Sequence, residues 1–208
     1  MAMRNPGKPS RDDPAAEEGR QVLIEVRDPN TAQTHRLELE LGTGRVYQAV
    51  VHSARVREDV IEQAAQAVFA AIVPADGGLI ANLKVWENLA LPAAYHGSPR
   101  YADLERRAAD ILAEFNVAGA KFEALCSMLP DHLDRFERRL CAFVRALLTE
   151  PRLLVYDSLF DGLNREQTAR ALAFDAAYRR RVPQGTSLYL SADMQSLPDV
   201  GAGHTFHL

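Results

Sequence analysis

Two segments near the start of the chain, Gln21 to Arg27 (QVLIEVR) and Arg36 to Leu41 (RLELEL), alternate apolar with polar residues, the period of a strand with one buried face. Asp28-Pro29-Asn30 between them has turn chemistry, so the pair predicts an antiparallel hairpin. Gly42-Thr43-Gly44 reads as another hairpin turn, leading into a third strand over Arg45 to Val51. From Arg57 to Ala71 the spacing becomes helical, with Val60, Ile61, Ala64, Ala67, Val68 and Ala71 on one stripe. A loop at Pro74 to Gly78 follows. Tyr101 to Phe115 is amphipathic, with Leu104, Ala108, Ile111, Leu112 and Phe115 on the inward face, and a further helix is expected from about His132 to Thr149. Arg152 to Tyr156 is a short apolar run behind Pro151, the pattern of a buried parallel strand, ending at Asp157. Arg165 to Arg181 reads as helix, Thr186 to Leu190 as a second buried strand and His204 to Leu208 as a last one.

Strands first, helices in the middle and strand-helix-strand at the end predict an α/β domain over residues 21–208, with a helical sub-lobe at about 82–140. Residues 1–20 are rich in Pro, Arg, Asp and Glu without an apolar core, and are expected to form a flexible tail rather than a signal peptide. Composition supports a soluble globular chain: of 208 residues, 47% are apolar and 25% charged. Net charge is −4, which argues against nucleic-acid binding. No run of about 20 apolar residues is present to span a bilayer, so a cytoplasmic location is expected. Cys126 and Cys141 are too few for a disulfide framework and are expected in helix cores. Together with His132, His204 and His207 they match no zinc spacing.

Leu129 to Asn164 (LPDHLDRFERRLCAFVRALLTEPRLLVYDSLFDGLN) carries the most informative pattern. Val144 to Asp157 places an arginine and an Ala-Leu pair on a helix, then a proline, apolar residues and an aspartate; Asp161-Gly162-Leu163-Asn164 follows. This block resembles the ATP-binding subunits of ABC transporters. A second block, Gly78 to Pro92 (GLIANLKVWENLALP), resembles the segment after that family's Q-loop, especially in the lipid-transporting Mla or MCE-associated branch. The resemblance implies a P-loop NTPase-like fold, a mixed sheet core with antiparallel amino-terminal strands and a helical sub-lobe. It also implies a membrane permease as partner and pairing with a second copy or with another ATPase subunit. The chain would then lie in the cytoplasm, peripheral at the inner face of the cell membrane.

The positions that the family uses for hydrolysis depart from its pattern. A P-loop needs Gly-x-x-x-x-Gly-Lys-Ser/Thr, because backbone amides cradle phosphate, the lysine neutralises it and the hydroxyl holds Mg²⁺. Only Lys8, Lys84 and Lys121 are lysines, and Val51-His52-Ser53-Ala54-Arg55-Val56, where the loop should stand, contains neither glycine nor lysine. The Q-loop glutamine maps to Ala75, and the LSGGQ signature to Leu133-Asp134-Arg135-Phe136-Glu137, with Asp134 in place of the serine. Asp157 matches the magnesium-site aspartate, the catalytic glutamate is Ser158, and the switch histidine is Ala192. A carboxylate-free base position cannot polarise water, and phosphate positioning, metal and base act together.

The expectation is a degenerate, catalytically inactive subunit with no cofactor; ATP and Mg²⁺ enter only if the altered site still binds them. The segment from Leu79 to Pro92 would dock the permease of a phospholipid transporter, through Lys84, Val85, Trp86 and Leu89. Trp86 is equally readable as a core aromatic. Two alternatives stand beside this reading. One is a cytosolic enzyme or binding protein with a rebuilt site, where Arg55, Arg57 and Asp157 hold an anion or metal. The other is an ATPase with atypical motifs. Ser158 reads as a strand-end polar residue rather than a nucleophile, and the pairs and runs Arg138-Arg139 and Arg179-Arg180-Arg181 read as solvated helix faces.

Overall fold

The computed structural model describes residues 19–95, 103–194 and 197–208. Most of the expected tail, residues 1–18, and the expected helix start at Tyr101 lie outside the described residues. β1 (Gln21–Arg27) and β2 (Thr34–Glu40) pair antiparallel, from Gln21 opposite Glu40 to Arg27 opposite Thr34. Their alternation has the predicted effect, burying Val22, Ile24, Val26, Leu37 and Leu39 on one face. Asp28 organises the turn by accepting from the Asn30 amide and the Thr31 hydroxyl. Gly19 and Arg20, assigned to the tail, instead extend this ribbon through bonds to Leu41.

The remaining strands form a five-stranded parallel sheet in the order β4-β5-β6-β3-β7. They are β3 (Val46–Val50), β4 (Ala70–Val73), β5 (Leu153–Asp157), β6 (Thr186–Ser191) and β7 (His204–His207). Gly42-Thr43-Gly44 therefore connects two sheets and is not a hairpin turn, since β2 and β3 do not pair. The apolar run of β5 is split by its pleat: Leu153 and Val155 join the core under β1, β2 and α1 (Ala54–Ala67), while Leu154 and Tyr156 face the opposite core. Leu188 and Leu190 of β6 join the first core, and Tyr189 the second.

The second core is covered by α5 (Arg135–Leu147) and α6 (Arg165–Arg181) and reaches into a helical lobe. That lobe comprises α2 (Val85–Tyr95), α3 (Leu104–Ala113) and α4 (Ala120–Ser127), with a short 3₁₀ turn at Pro130–His132 before α5. Phe174 of α6 stacks on Phe143 with ring centres 4.4 Å apart and meets Phe115 edge-on at 5.2 Å, which locks α6, α5 and the lobe together.

The helix expected over Arg57 to Ala71 is corrected in two ways. It starts at Ala54, because Ser53 accepts from the Val56 amide as an N-cap, and it stops at Ala67. Val68 is extended, and Ala70–Val73 becomes the edge strand β4, its apolar run fitting strand as well as helix. The arginine runs are also corrected. Arg139 is 2% exposed, and Arg179 and Arg181 are partly withdrawn, pairing with Asp175 at 2.6 Å and with Glu114, so these three are tied to the protein; Arg180 also binds Glu114 but its side chain stays exposed, as expected of a solvated face.

Candidate functional site

In an open parallel sheet, side chains and loops converge at the carboxyl ends of the strands, the usual place for a ligand. Here β3, β5 and β6 bring three loops together. The loop after β3 is only Val51-His52-Ser53, because β3 ends at Val50 and α1 begins at Ala54. Val51 is buried and bonds through its amide to Ser191 O at 2.8 Å; the His52 amide bonds to Leu208 O. The Ser53 hydroxyl is engaged as the cap of α1 at 3.4 Å. Three residues without glycine form no amide cradle of the kind that encloses a phosphate.

Asp157 stands at the end of β5, half-buried, beside Arg57 from the first turn of α1. The Arg57 guanidinium donates to Ser158 Oγ at 2.9 Å, lies 3.6 Å from Asp157 Oδ1 and reaches Val51 O at 3.4 Å. Ser158 in turn donates to Asp157 Oδ1 at 3.3 Å. Burial raises the Asp157 carboxyl above its ordinary value; Arg57 and the Ser158 hydroxyl oppose that rise, while Asp161 and Asp76 add to it. Ser158 itself is 3% exposed, with its amide bonded to Leu190 O, so it is a strand-end anchor, and among the described residues no histidine is bonded to it. Arg55, named with these residues as a possible anion or metal pocket, instead pairs with Asp59 at 3.1 Å and Glu58 at 3.5 Å on its own helix. Among the described residues no group of three His, Cys, Asp or Glu side chains is placed to hold a metal.

The segment matched to the signature is built as a helix start. Asp134 accepts from the Glu137 amide at 2.8 Å and Glu137 accepts from the Asp134 amide at 2.9 Å, a reciprocal capping box that occupies both carboxylates. Phe136 is buried under the Arg170 guanidinium, 4.1 Å from its ring centre. Ala75 contributes its carbonyl to Arg139, and Ala192 is exposed just beyond β6.

Sequence reasoning missed how strongly α5 holds these loops. Arg139 donates through Nε to Ala75 O at 2.7 Å and through Nη2 to Asp161 O at 2.6 Å. Arg145 reaches Gly78 O at 2.8 Å and Gly77 O at 3.4 Å. Gly77 has φ +86, and a β-carbon there would lie 2.8 Å from Arg138, so only glycine allows the loop to press on the helix. The signal was present: Arg139 follows Phe136 by three residues and precedes Phe143 by four, on the buried stripe of the helix.

The residues assigned to docking divide. Val85 and Leu89 are 0% and 1% exposed, so they pack the lobe and offer no surface, which corrects their assignment. Trp86 is half-buried against the same core, and Lys84 is exposed. Asn88, also missed, is fully buried and fixes the preceding loop by bonding to Ile80 through both its backbone groups and to the carbonyls of Leu83 and Lys84. Ile80 and Leu91 are the exposed large apolar residues of this segment, at 42% and 41%.

No family model matches the sequence, and no match is found among curated proteins. Solved structures do match. A metal-chelate type ABC transporter in an inward-facing conformation aligns with a TM-score of 0.65 and 12% identity, over 85% of this chain and 76% of that one. The ATP-binding subunit of an ABC transporter aligns with a TM-score of 0.60 and 22% identity, over 83% and 80%. The cbiO1 component of the cbiONQ ABC transporter complex from Clostridium perfringens aligns with a TM-score of 0.60 and 13% identity, over 86% and 80%. The fold is thus that of ABC transporter ATP-binding subunits, a P-loop NTPase-like α/β fold. Among the described residues no helix is long and apolar enough to cross a membrane.

Proposed function

We propose that this chain is a nucleotide-binding subunit of the ABC type that no longer hydrolyses ATP and acts by docking on a membrane permease. The observation that carries this reading is the three-residue turn between β3 and α1, capped by Ser53 and lacking both glycine and lysine. ATP and Mg²⁺ do not fit the residues present: the phosphate cradle is missing, Asp157 faces Arg57, and Asp134 and Glu137 are engaged with each other. Loss at separate elements removes phosphate positioning, metal charge and water activation together, and restoring one of them, as in Ser158→Glu, restores little because such groups act as a unit.

Permease docking is supported by the fold shared with transporter subunits and by the surface around Lys84, Trp86, Ile80 and Leu91. The likeness of Gly78 to Pro92 to the lipid-transporting branch makes a phospholipid the proposed cargo of the complex. In the cell the chain would sit at the cytoplasmic face of the membrane through that permease, as one half of a pair of ATPase-fold subunits.

The test is coexpression with a tagged ABC-type permease subunit from the same genome. Retention on the tagged permease, weakened by Lys84→Glu and by Leu91→Asp in variants whose melting temperatures stay at the wild-type value, supports docking. Undiminished retention of both variants places the contact elsewhere, and no retention of the unmodified chain overturns the reading.

A further inference from the structure

The family whose fold this chain shares places a divalent cation at the carboxylate of Asp157, and the residues here do not fit that ion. The carboxylate already faces a positive charge supplied by the chain. Arg57 enters the cleft from the first turn of α1, bonds Ser158 Oγ at 2.9 Å, stands 3.6 Å from Asp157 Oδ1 and reaches back to Val51 O at 3.4 Å. Its side chain is 21% exposed and that of Asp157 20%, so the pair is largely withdrawn from solvent.

The loops after two strands meet on this one guanidinium, and a third strand is joined to them. Val51 follows β3, Asp157 ends β5, and Ser158 is bonded through its amide to Leu190 of β6. Ser158 is held with φ +53, a left-handed conformation that a residue bearing a β-carbon adopts only where its surroundings require it. A hydroxyl in this position can donate to Asp157 while accepting from Arg57, and both bonds are made.

We propose that Arg57 is a built-in ligand, a guanidinium fixed where the fold would otherwise hold a divalent cation, which closes the cleft permanently. The inference rests on the reading that the nucleotide site is closed, and it adds what keeps it closed. A carboxylate in a largely dry cleft tolerates loss of its partner poorly, whereas loss of both charges together is tolerated far better. The roles of Arg57 and Asp157 are therefore coupled. A second cation would meet the guanidinium as a like charge, so the wild-type protein excludes Mg²⁺ here.

The experiment compares the melting temperatures of the full chain and of Arg57→Met, Asp157→Asn and the double variant, each with and without millimolar MgCl2 as the probe. Arg57→Met is expected to melt well below the wild type, and addition of Asp157→Asn to recover at least half of that loss. MgCl2 should raise the melting temperature of Arg57→Met alone, leaving the wild type and the double variant unmoved. If Arg57→Met fails to fold, folding of the double variant shows the same coupling in its strongest form. Failure of Asp157→Asn to recover stability, or failure of both variants to fold, would show that Arg57 works through packing or Ser158 and overturn the proposal. An Arg57→Met protein indifferent to MgCl2 would remove Arg57 from the cation's place. A wild-type shift with Mg-ATP would strike the closed-site reading instead, whatever the outcome of the coupling.

Discussion

Replacing Arg139 by methionine tests whether α5 holds the loops around the cleft. Arg139 is 2% exposed and ties two loops that are far apart in sequence, through bonds of 2.7 Å to Ala75 O and 2.6 Å to Asp161 O. Hydrogen bonds from a charged donor each contribute about 1.5–3 kcal/mol net, so the two together give roughly 3–6 kcal/mol. Against this stands Nη1, buried without a hydrogen-bond partner, whose desolvation costs about 1–3 kcal/mol and is removed by the substitution. Burial likewise disfavours the charged form of Arg139, lowering its pKa from the ordinary value. Methionine fills most of the volume, so the cavity contribution is small. The balance is a net loss of about 2–3 kcal/mol, or roughly 4–12 °C in melting temperature for a domain of this size. Thermal unfolding measures the loss. Hydrogen exchange measures where it falls, with faster exchange expected at residues 74–78 and 158–163. Arg139→Lys should recover little, because one ammonium cannot span both carbonyls. A methionine variant that melts with the wild type and exchanges at the wild-type rate in both loops would refute the reasoning.

Phe174→Ala removes the ring shared by Phe115, Phe136 and Phe143, and should cost about 3–5 kcal/mol in chemical denaturation; a loss under about 1 kcal/mol would mean that the aromatic cluster is not what joins the lobe to α6. Glu114 predicts an acid limb. Burial alone would raise its carboxyl, but hydrogen bonds from Arg181 and Arg180 outweigh that and hold it below its ordinary value of 4.5. A group with a lowered folded-state pKa contributes stability that is complete above the ordinary value and disappears as pH falls through the lowered one. The gap in melting temperature between wild type and Glu114→Gln should thus be constant near neutrality and close in acid; a gap that persists unchanged far below pH 4.5 would contradict the assignment.

Much of the architecture could be read from periodicity because the two cores impose it. The alternation of β1 and β2 and the apolar run of β5 each have a single favourable solution. The helix Arg165–Arg181 was legible to both ends because Asn164 and Gln167 form a capping box and a Gly-containing turn follows. The boundary between α1 and β4 was not legible, since Val68 to Val73 carries no breaker and its apolar residues satisfy either period. The resemblance assigns Ala75, Asp134, Asp157, Ser158 and Ala192 to the family's catalytic positions, but what these residues touch required geometry. Arg57 and Asp157, 100 residues apart, could be grouped from sequence only as a pocket for an outside ion, not as partners of each other, and the place of Arg139 on the buried stripe did not say which two carbonyls it would reach. Long polar side chains that cap backbone carbonyls look, in sequence, the same as solvated ones.

The most direct measurement of the central claim is calorimetric titration of the purified full chain with millimolar Mg-ATP. The three-residue turn after β3 and the charge of Arg57 at Asp157 predict no saturable heat beyond dilution, and no rise in melting temperature at the same concentration, since a ligand stabilises only as far as it binds the native state. Saturable binding that Asp157→Asn abolishes would contradict the account and return the chain to the nucleotide-using members of its fold.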